Sequence, residues 1–232
     1  VHLALHLVDR VRGVTATLPY DPLWAAAVGT ATAWYARFWK VNVKVQGTTS
    51  GGLASMGNGV PYALAAKFAE PDKPVVAMVG DGAMQMIGNN GLITAAHYWR
   101  EWSDPRLVIL VLNNRDLNQV TWEQRVMEGD PKYESSQALP DFDYDRYAEM
   151  LGLRGLRLDD PDQVVAVLED ALNADRPVVI NAVVDPNVPP LPTHLEMDQV
   201  KGYLSSILKG DPEAGPQIRQ SVKAMAAKYL KR

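Results

Sequence analysis

Pro-Val-Val-Ala-Met-Val-Gly-Asp-Gly-Ala, residues 74–83, is an apolar run that breaks into an aspartate between two glycines. The segment from Val75 to Val79 is short, largely β-branched and bounded by breaking residues, which predicts a fully buried strand. Gly80 and Gly82 permit a sharp turn at the end of the strand and bring backbone N–H groups close to a ligand. Asp81 is therefore expected at the carboxyl edge of a parallel sheet, where open α/β folds bind their ligands.

A second apolar run, Leu107 to Leu112, ends in the same way, in Asn113 and Asn114. Two neighbouring strands that end in Asp and Asn would place oxygen ligands side by side. Such ligands suit Mg²⁺, which takes one or two protein oxygens together with waters and substrate phosphates. A lone Gly-Asp-Gly is weak evidence, because most such triplets are ordinary turns. The triplet after one buried strand and Asn-Asn after the next, with a helix-length spacer between them, is a much stronger signal.

These spacings resemble a known family. Gly80-Asp81-Gly82, a spacer of thirty residues (83–112) and Asn113-Asn114 are similar to the thiamine diphosphate motif of the pyruvate oxidase and acetolactate synthase superfamily. Residues 50–57, Ser-Gly-Gly-Leu-Ala-Ser-Met-Gly, resemble the loop that shapes the cofactor in this family. Residues 29–34, Gly-Thr-Ala-Thr-Ala-Trp, resemble a stretch of the quinone-linked pyruvate dehydrogenases.

The resemblance covers about Val28 to Lys209 and implies the family's α/β fold, a doubly wound, mostly parallel sheet with helices on both faces. The alternation of helix and strand patterns along the chain independently favours that fold. We expect the cofactor-binding domain at residues 1–185, and a proline-rich linker with a helical C-terminal tail at residues 186–232. Helices are expected at 2–12, 30–40, 60–70, 84–102, 144–151 and 162–173, strands at 75–79, 107–112, 153–158 and 177–184, and a loop at 47–59. Residues 88–91, Gly-Asn-Asn-Gly, predict a turn or kink near the start of the helix at 84–102.

The resemblance also implies the roles of single residues. Asp81, the side chain of Asn114 and the main-chain carbonyl of Asp116 would hold Mg²⁺. Thr30 and Thr32 open a helix whose N-terminus would face the diphosphate, and simple helix capping is the alternative. The residues expected to contact thiamine diphosphate are Gly29, Thr30, Ala31, Thr32, Ala54, Ser55, Met56, Gly80, Asp81, Gly82, Ala83, Asn114, Asp116, Leu117 and Asn118.

Two residues are expected to take part in catalysis. By resemblance, Met56 supports the bent shape of the cofactor while the carbonyl of Ala54 accepts a hydrogen bond from its amine; a core methionine is the alternative. Glu123 stands where pyruvate oxidases line the substrate pocket, and a solvated helix carboxylate is equally open. The family usually has glycine at positions 54 and 118. Ala54 restricts φ, whereas Asn118 tolerates a left-handed turn.

Composition narrows the functional classes. A net charge of −4 argues against nucleic acid as a partner, and the absence of cysteine excludes disulfides and thiolate chemistry. The sequence has no signal-peptide pattern and no run of eighteen apolar residues, so we expect a cytoplasmic protein. Because the chain begins with Val1, we expect it to be a piece of something longer.

The tail offers a further pattern. From residue 217 to residue 232 its charges are all basic, and apolar residues recur at helical spacing. A cationic amphipathic helix of this kind can lie on anionic lipid, which would give a peripheral contact with the inner membrane face. Docking on the body of the protein or on a neighbouring subunit is the alternative.

The expected function is decarboxylation of pyruvate or a related small 2-oxo acid, in an enzyme most like a pyruvate oxidase or quinone-linked pyruvate dehydrogenase. An acetolactate synthase-like carboligase, a simple decarboxylase and a non-catalytic cofactor-binding or oligomerisation module are the alternatives. No stretch resembles the family's pyrimidine-binding domain or its flavin-binding domain. We therefore expect a homo-oligomer in which another chain or a missing segment supplies the pyrimidine domain. Any FAD would belong to the intact enzyme, and the chain alone would be inactive.

Overall fold

The computed structural model describes residues 23–26, 28–38, 47–188 and 196–220. The helix expected at residues 2–12, most of the linker and the end of the tail lie outside the described residues. The described chain divides into two compact units. The sheet unit comprises the described residues up to Asn114 together with Asp141–Val184, and the C-terminal unit comprises Arg115–Pro140 together with the described residues from Asp185 onward.

The sheet unit contains six strands, and every neighbouring pair is parallel. The strands are β1 (Leu23–Ala26), β2 (Gly47–Thr49), β3 (Val75–Gly80), β4 (Leu107–Asn113), β5 (Arg154–Leu158) and β6 (Val178–Val183). Their order across the sheet is β2-β1-β3-β4-β6-β5. With helices around the sheet, this arrangement confirms the predicted doubly wound α/β fold. The expectation of a loop over residues 47–59 was wrong at its start, because residues 47–49 form β2 and pair with β1. These three residues are not part of an apolar run, so the sequence offers no signal of a strand there.

Helices connect the strands. The sheet unit has α1 (Thr30–Phe38), α2 (Gly59–Ala69), α3 (Asp81–Ala83), α4 (Asn89–Tyr98), α7 (Tyr144–Met150) and α8 (Val164–Leu172), and the C-terminal unit has α5 (Asn118–Glu123), α6 (Glu134–Gln137) and α9 (Met197–Leu208). Two π-helical segments, Met84–Gly88 and Gln124–Glu128, follow α3 and α5. In the described residues, no helix has both the length and the apolar character that crossing a bilayer requires.

Of the turn or kink expected at residues 88–91, the tight turn is absent, because Gly88 ends a π-helical segment and the next three residues begin α4. The glycines serve close packing. A Cβ atom on Gly91 would lie 2.6 Å from Cγ1 of Val60 on α2, and one on Gly88 would lie 2.6 Å from the sulfur of Met84. His97 lies exposed on α4.

The core of the sheet unit is built around β3 and β4, the two strands that the sequence predicted from continuous apolar runs. All seven residues of β4 and the first five of β3 are buried. Three alternate residues of each strand pack with apolar side chains of α2, α4 and α7, among them Leu92 and Ala148, which are fully buried. Burying one Val, Leu or Ile side chain contributes about 1.5–3 kcal/mol, so this layer stabilises the unit.

The C-terminal unit contains a buried charged network. Arg125 is fully buried, and its guanidinium donates to both carboxylate oxygens of Asp211 at 2.8 and 3.0 Å and to Glu213 at 2.7 Å. A Cβ atom on Gly202 of α9 would lie 2.3 Å from the carbonyl oxygen of Val126. Glycine at that position therefore lets α9 lie directly against the second π-helical segment.

Candidate functional site

The carboxyl ends of β3 and β4 lie side by side. Gly80 is paired in register with Leu112, so Asp81 and Asn113 are the next residues on the two strands. The Asp81 side chain is almost fully buried: one carboxylate oxygen accepts from the N–H of Gly82 at 2.9 Å and the other from the N–H of Asn114 at 3.0 Å. The Asp81 carboxylate thus joins the ends of the two strands, at the edge of the sheet where the sequence predicted it to lie.

The two asparagines after β4 have different surroundings, although both are buried. The amide nitrogen of Asn113 donates to Asn181 of β6 at 3.1 Å, so this side chain serves the sheet. Asn114 stands one residue further out and is connected to Asp81 through its backbone N–H. This arrangement favours Asn114 over Asn113 as the metal ligand.

The donor set at this edge fits Mg²⁺. It combines one carboxylate with one side-chain amide, and both are hard oxygen ligands. Among the described residues, no three His, Cys, Asp or Glu side chains come together as a metal cluster. A Mg²⁺ ion held by a bound diphosphate does not need such a cluster, because phosphates and waters complete its octahedron.

The helix predicted to face the diphosphate begins at the same edge of the sheet. β1 lies between β2 and β3 in the sheet. The chain runs from β1 to β2 on one side of β1 and then crosses to β3 on its other side, so the direction of winding reverses between β1 and β3. The crevice between these two strands is therefore the topological switch point. Ligands of doubly wound sheets bind in such a crevice. α1 starts at Thr30, directly after Gly29, whose φ of 129° lies in the left-handed region. The N–H of Thr32 donates to the carbonyl of Gly29 at 3.0 Å, so it belongs to the first turn of the helix.

In the loop at residues 50–57, the backbone at position 54 has a conformation that suits glycine, the residue that the resembled family usually has there. Ala54 has a φ of 51° in the left-handed region. The loop is closed by the N–H of Ser55, which donates to the hydroxyl of Ser50 at 3.0 Å. Ala54 and Ser55 are exposed and Met56 is half-buried, so Met56 is not a residue of the buried core.

In the C-terminal unit, the Asp116 side chain is occupied by contacts within that unit. One carboxylate oxygen accepts from the hydroxyl of Thr121 at 3.1 Å and pairs with Lys132 at 3.1 Å, and the other accepts from Asn118 at 3.1 Å. The attraction of Asp116 and Glu213 outweighs burial and raises the pKa of Lys132, which keeps the ammonium charged. The Asp116 carboxylate is thus engaged within the C-terminal unit, and the Asp116 carbonyl as a metal ligand stays a prediction from the resemblance.

The left-handed turn expected at Asn118 was misplaced. Asn118 begins α5, and its amide also donates to the carbonyl of Pro186 at 2.8 Å. The left-handed residue of this segment is Arg115, with a φ of 58°. Leu117, between them, is partly buried. Because helix formation begins at Asn118, the reversal of the chain falls three residues earlier.

Glu123, the second predicted catalytic residue, lies exposed on α5 and accepts a hydrogen bond from Gln119 at 2.9 Å. Its surroundings are those of a solvated helix carboxylate. A role in the substrate pocket stays a prediction from the resemblance.

Tyr144 and Gln85 were not among the predicted site residues. The hydroxyl of Tyr144 donates to the backbone carbonyl of Asp81 at 3.1 Å and accepts from the Gln85 amide at 3.0 Å. Burial raises the pKa of Tyr144, so its hydroxyl stays protonated. The sequence offers no signal for this contact, because 63 residues separate Tyr144 from Asp81.

Comparison with known proteins decides the family. The family described as "Thiamine pyrophosphate enzyme, C-terminal TPP binding domain" matches residues 27–182, which include all of α1 and the ends of β3 and β4. The chain belongs to this family. The predicted resemblance is thereby confirmed, and thiamine diphosphate (thiamine pyrophosphate) is the cofactor of the domain.

Several curated proteins resemble this thiamine diphosphate-binding domain. "Putative thiamine pyrophosphate-containing protein YdaP" of Bacillus subtilis (strain 168) is 32% identical over 88% of the chain and 35% of its own length. The mitochondrial acetolactate synthase catalytic subunit of Aspergillus candidus is 31% identical over 80% of the chain and 26% of its own length. The acetolactate synthase isozyme 3 large subunit of Escherichia coli (strain K12) is 36% identical over 59% of the chain and 23% of its own length. The chain thus spans about a third or less of these relatives.

Proposed function

We propose that the chain is the diphosphate-binding part of a thiamine diphosphate- and Mg²⁺-dependent enzyme that decarboxylates pyruvate or a related small 2-oxo acid. The observation that carries the proposal is the Asp81 carboxylate, held between the N–H groups of Gly82 and Asn114 at the ends of two parallel strands. When bound, thiamine diphosphate supplies the nucleophilic carbon and the electron sink that this decarboxylation needs.

The sheet unit would anchor the cofactor at its charged end. Asp81 and Asn114 would supply two oxygen ligands to Mg²⁺, which neutralises the diphosphate. The N-terminus of α1, after Gly29, would add backbone donors and the positive end of the helix dipole. The Asp116 carbonyl, Leu117 and Asn118, which belong to the C-terminal unit, stay predictions from the sequence.

The loop at residues 50–57 would control the shape of the cofactor. The left-handed Ala54 turns the chain within this loop. The Ala54 carbonyl and the Met56 side chain would then both reach the cofactor from one short segment. In this role Met56 acts by position and bulk, and it exchanges no proton. Loss of its side chain would therefore reduce turnover more than cofactor affinity.

Two reaction classes follow from the same first step. In a pyruvate oxidase-like or quinone-linked enzyme, two electrons pass to an acceptor after CO₂ leaves, and the resemblance at residues 29–34 favours this class. In a carboligase, a second 2-oxo acid is joined instead, and the acetolactate synthases among the relatives favour that class. Both classes would require a pyrimidine-binding domain from another chain or segment in a homo-oligomer, and FAD would belong to the intact enzyme.

The experiment is to supply pyruvate, thiamine diphosphate and Mg²⁺ to the chain alone and with the pyrimidine-binding domain of an acetolactate synthase relative. Released CO₂ and the products are followed by NMR, with and without an electron acceptor. Acceptor-dependent acetate would support the oxidase class, and acetolactate would support the carboligase class. Cofactor binding without CO₂ release in any mixture would contradict the enzymatic proposal and leave a binding module.

A further inference from the structure

The first turn of α7 lies unusually close to the sheet. A Cβ atom on Gly155 of β5 would lie 2.1 Å from the carbonyl oxygen of Asp145 and 3.0 Å from its Cα. No side chain fits into that space, so glycine in β5 allows α7 to begin directly against the strand. Tyr144, the neighbour of Asp145, is fully buried as a result.

Tyr144 fixes the end of β3. Its hydroxyl donates to the Asp81 carbonyl at 3.1 Å, and this carbonyl also accepts the backbone N–H of Met84 within α3. Gln85, on the π-helical segment that follows, donates to the same hydroxyl at 3.0 Å. The backbone of Asp81 is therefore held by a side chain that does not belong to the Gly-Asp-Gly turn. Because the side chain extends from this backbone, the contact also fixes the direction of the Asp81 carboxylate.

Asp145 fixes the end of β4 through a chain of side-chain amides. Asn181 of β6 donates to the carboxylate of Asp145 at 2.8 Å and accepts from Asn113 at 3.1 Å. Asn181 and Asn113 are buried at 0% and 2% exposure, so neither can replace these partners with water. A buried polar group that loses its partner is strongly disfavoured, which fixes the last residue of β4 before Asn114.

We propose that Tyr144 and Asp145 are positioning residues of the metal site, and that the first turn of α7 sets the spacing between Asp81 and Asn114. The inference rests on the proposed role of Asp81 and Asn114 as Mg²⁺ ligands. It adds two residues of a single helical turn, which hold the end of β3 and the end of β4 at the same time. Contacts behind metal ligands commonly change metal affinity by about 10- to 100-fold when they are removed.

The first experiment needs no cofactor. Amide hydrogen exchange, read by NMR on the full chain, reports the N–H of Asn114, which donates to the Asp81 carboxylate. In Tyr144→Phe, which keeps the ring, exchange at Asn114 should rise by about three- to tenfold, as expected for loss of one buried hydrogen bond. Exchange at Ile109, in the middle of β4, should not change.

Matched variants separate positioning from general stability. Tyr147→Phe removes a hydroxyl from the same helix, on a ring that packs against Phe142, and should leave exchange at Asn114 unchanged. Asp145→Ala should also raise exchange at Asn114, and Asp145→Asn should restore it, because an amide oxygen can still accept from Asn181. Unchanged exchange at Asn114 in Tyr144→Phe and Asp145→Ala would overturn the proposal, as would a uniform rise that includes Ile109.

The second experiment measures Mg²⁺ affinity in the presence of thiamine diphosphate by titration calorimetry. Tyr144→Phe should weaken it by about tenfold or more, and Tyr147→Phe should not change it. Equal affinities would contradict the positioning role. If the wild-type chain takes up no Mg²⁺ with the cofactor, the proposed function is the part that fails, and the exchange experiment still decides whether α7 positions Asp81 and Asn114.

Discussion

The Nε atom of Arg125 donates to Asp211 at 2.8 Å, and the side chains of both residues are completely buried. Asp211 also accepts from the backbone N–H groups of Lys132 and Glu213. Burial by itself would raise the pKa of Asp211, but these hydrogen bonds outweigh it and lower the pKa, so the pair stays ionised. The segment after α5 and the segment after α9 are thus joined by a charge pair that water does not reach.

Asp211→Ala should therefore destabilise the C-terminal unit by about 3–5 kcal/mol, because it leaves the Arg125 guanidinium buried without its main partner. The free energy of unfolding, from denaturant titration, measures the loss. Asp130→Ala is the matched control: Asp130 pairs with Lys209 at 2.6 Å, but both side chains are about half exposed. The control should lose at most about 1 kcal/mol. Equal losses in the two variants would contradict the role of burial.

Lys67 gives a prediction on pH. It is fully buried on α2 and donates to the carbonyls of Pro71, Lys73 and Asp104. Burial lowers its pKa to about 8, against the attraction of Asp104. Between this value and the ordinary 10.5, the unfolded chain binds more protons than the folded one, so stability should rise as pH increases from 8 toward 10.

The measurement is the free energy of unfolding at pH 7 to 9.5. The free-energy cost of burying a charged Lys67 is fully present below pH 8, and it falls as the folded protein loses this proton above pH 8. Lys67→Met, which has similar length and no titratable group, should show no such rise. A wild-type curve that is flat, or that falls over this range, would refute the assignment.

Ala54 offers a test of the cofactor loop. Its φ of 51° is unfavourable for any residue with a Cβ atom. Ala54→Gly should leave stability within about 1 kcal/mol and preserve affinity for thiamine diphosphate. Ala54→Val should weaken that affinity strongly, because a β-branched residue rarely adopts this conformation. Ala138→Val, at an exposed alanine with extended backbone, should be neutral in both measurements. Equal affinities for all three variants would argue against a role for the loop.

The sequence contains two asparagine pairs, Asn113-Asn114 and Asn89-Asn90, and they should differ in their effect on cofactor binding. Asn114→Ala should weaken Mg²⁺-dependent binding of thiamine diphosphate by more than about tenfold, since it removes a proposed metal ligand. Asn90→Ala, at an exposed position on α4, should bind like the wild type. Calorimetry on both variants makes the comparison, and indistinguishable affinities would exclude Asn114 as a ligand.

The strands that carry the site could be predicted because their sequences are continuous buried runs that end in breaking or polar residues. β3 and β4 extend one residue beyond the predicted ends, to Gly80 and Asn113. β2 could not be predicted, since Gly-Thr-Thr has no apolar residue, is mostly exposed and becomes a strand only by pairing with β1.

Contacts between distant side chains were beyond the reach of the sequence. Arg125 has the pattern of a surface helix cation, and its burial depends on acids 86 and 88 residues away. Tyr144 likewise has the pattern of an ordinary aromatic core residue. Only the packing of α7 against Gly155 brings its hydroxyl to the backbone of Asp81.

The most direct test is titration of thiamine diphosphate into the chain with and without Mg²⁺, for wild type, Asp81→Ala and the surface control Asp170→Ala. Circular dichroism confirms that each variant is folded. We predict binding that requires Mg²⁺ in the wild type and the control and that disappears in Asp81→Ala. Binding of equal strength in all three proteins, or binding that is indifferent to Mg²⁺, would contradict the assignment of Asp81 as the metal carboxylate of this domain.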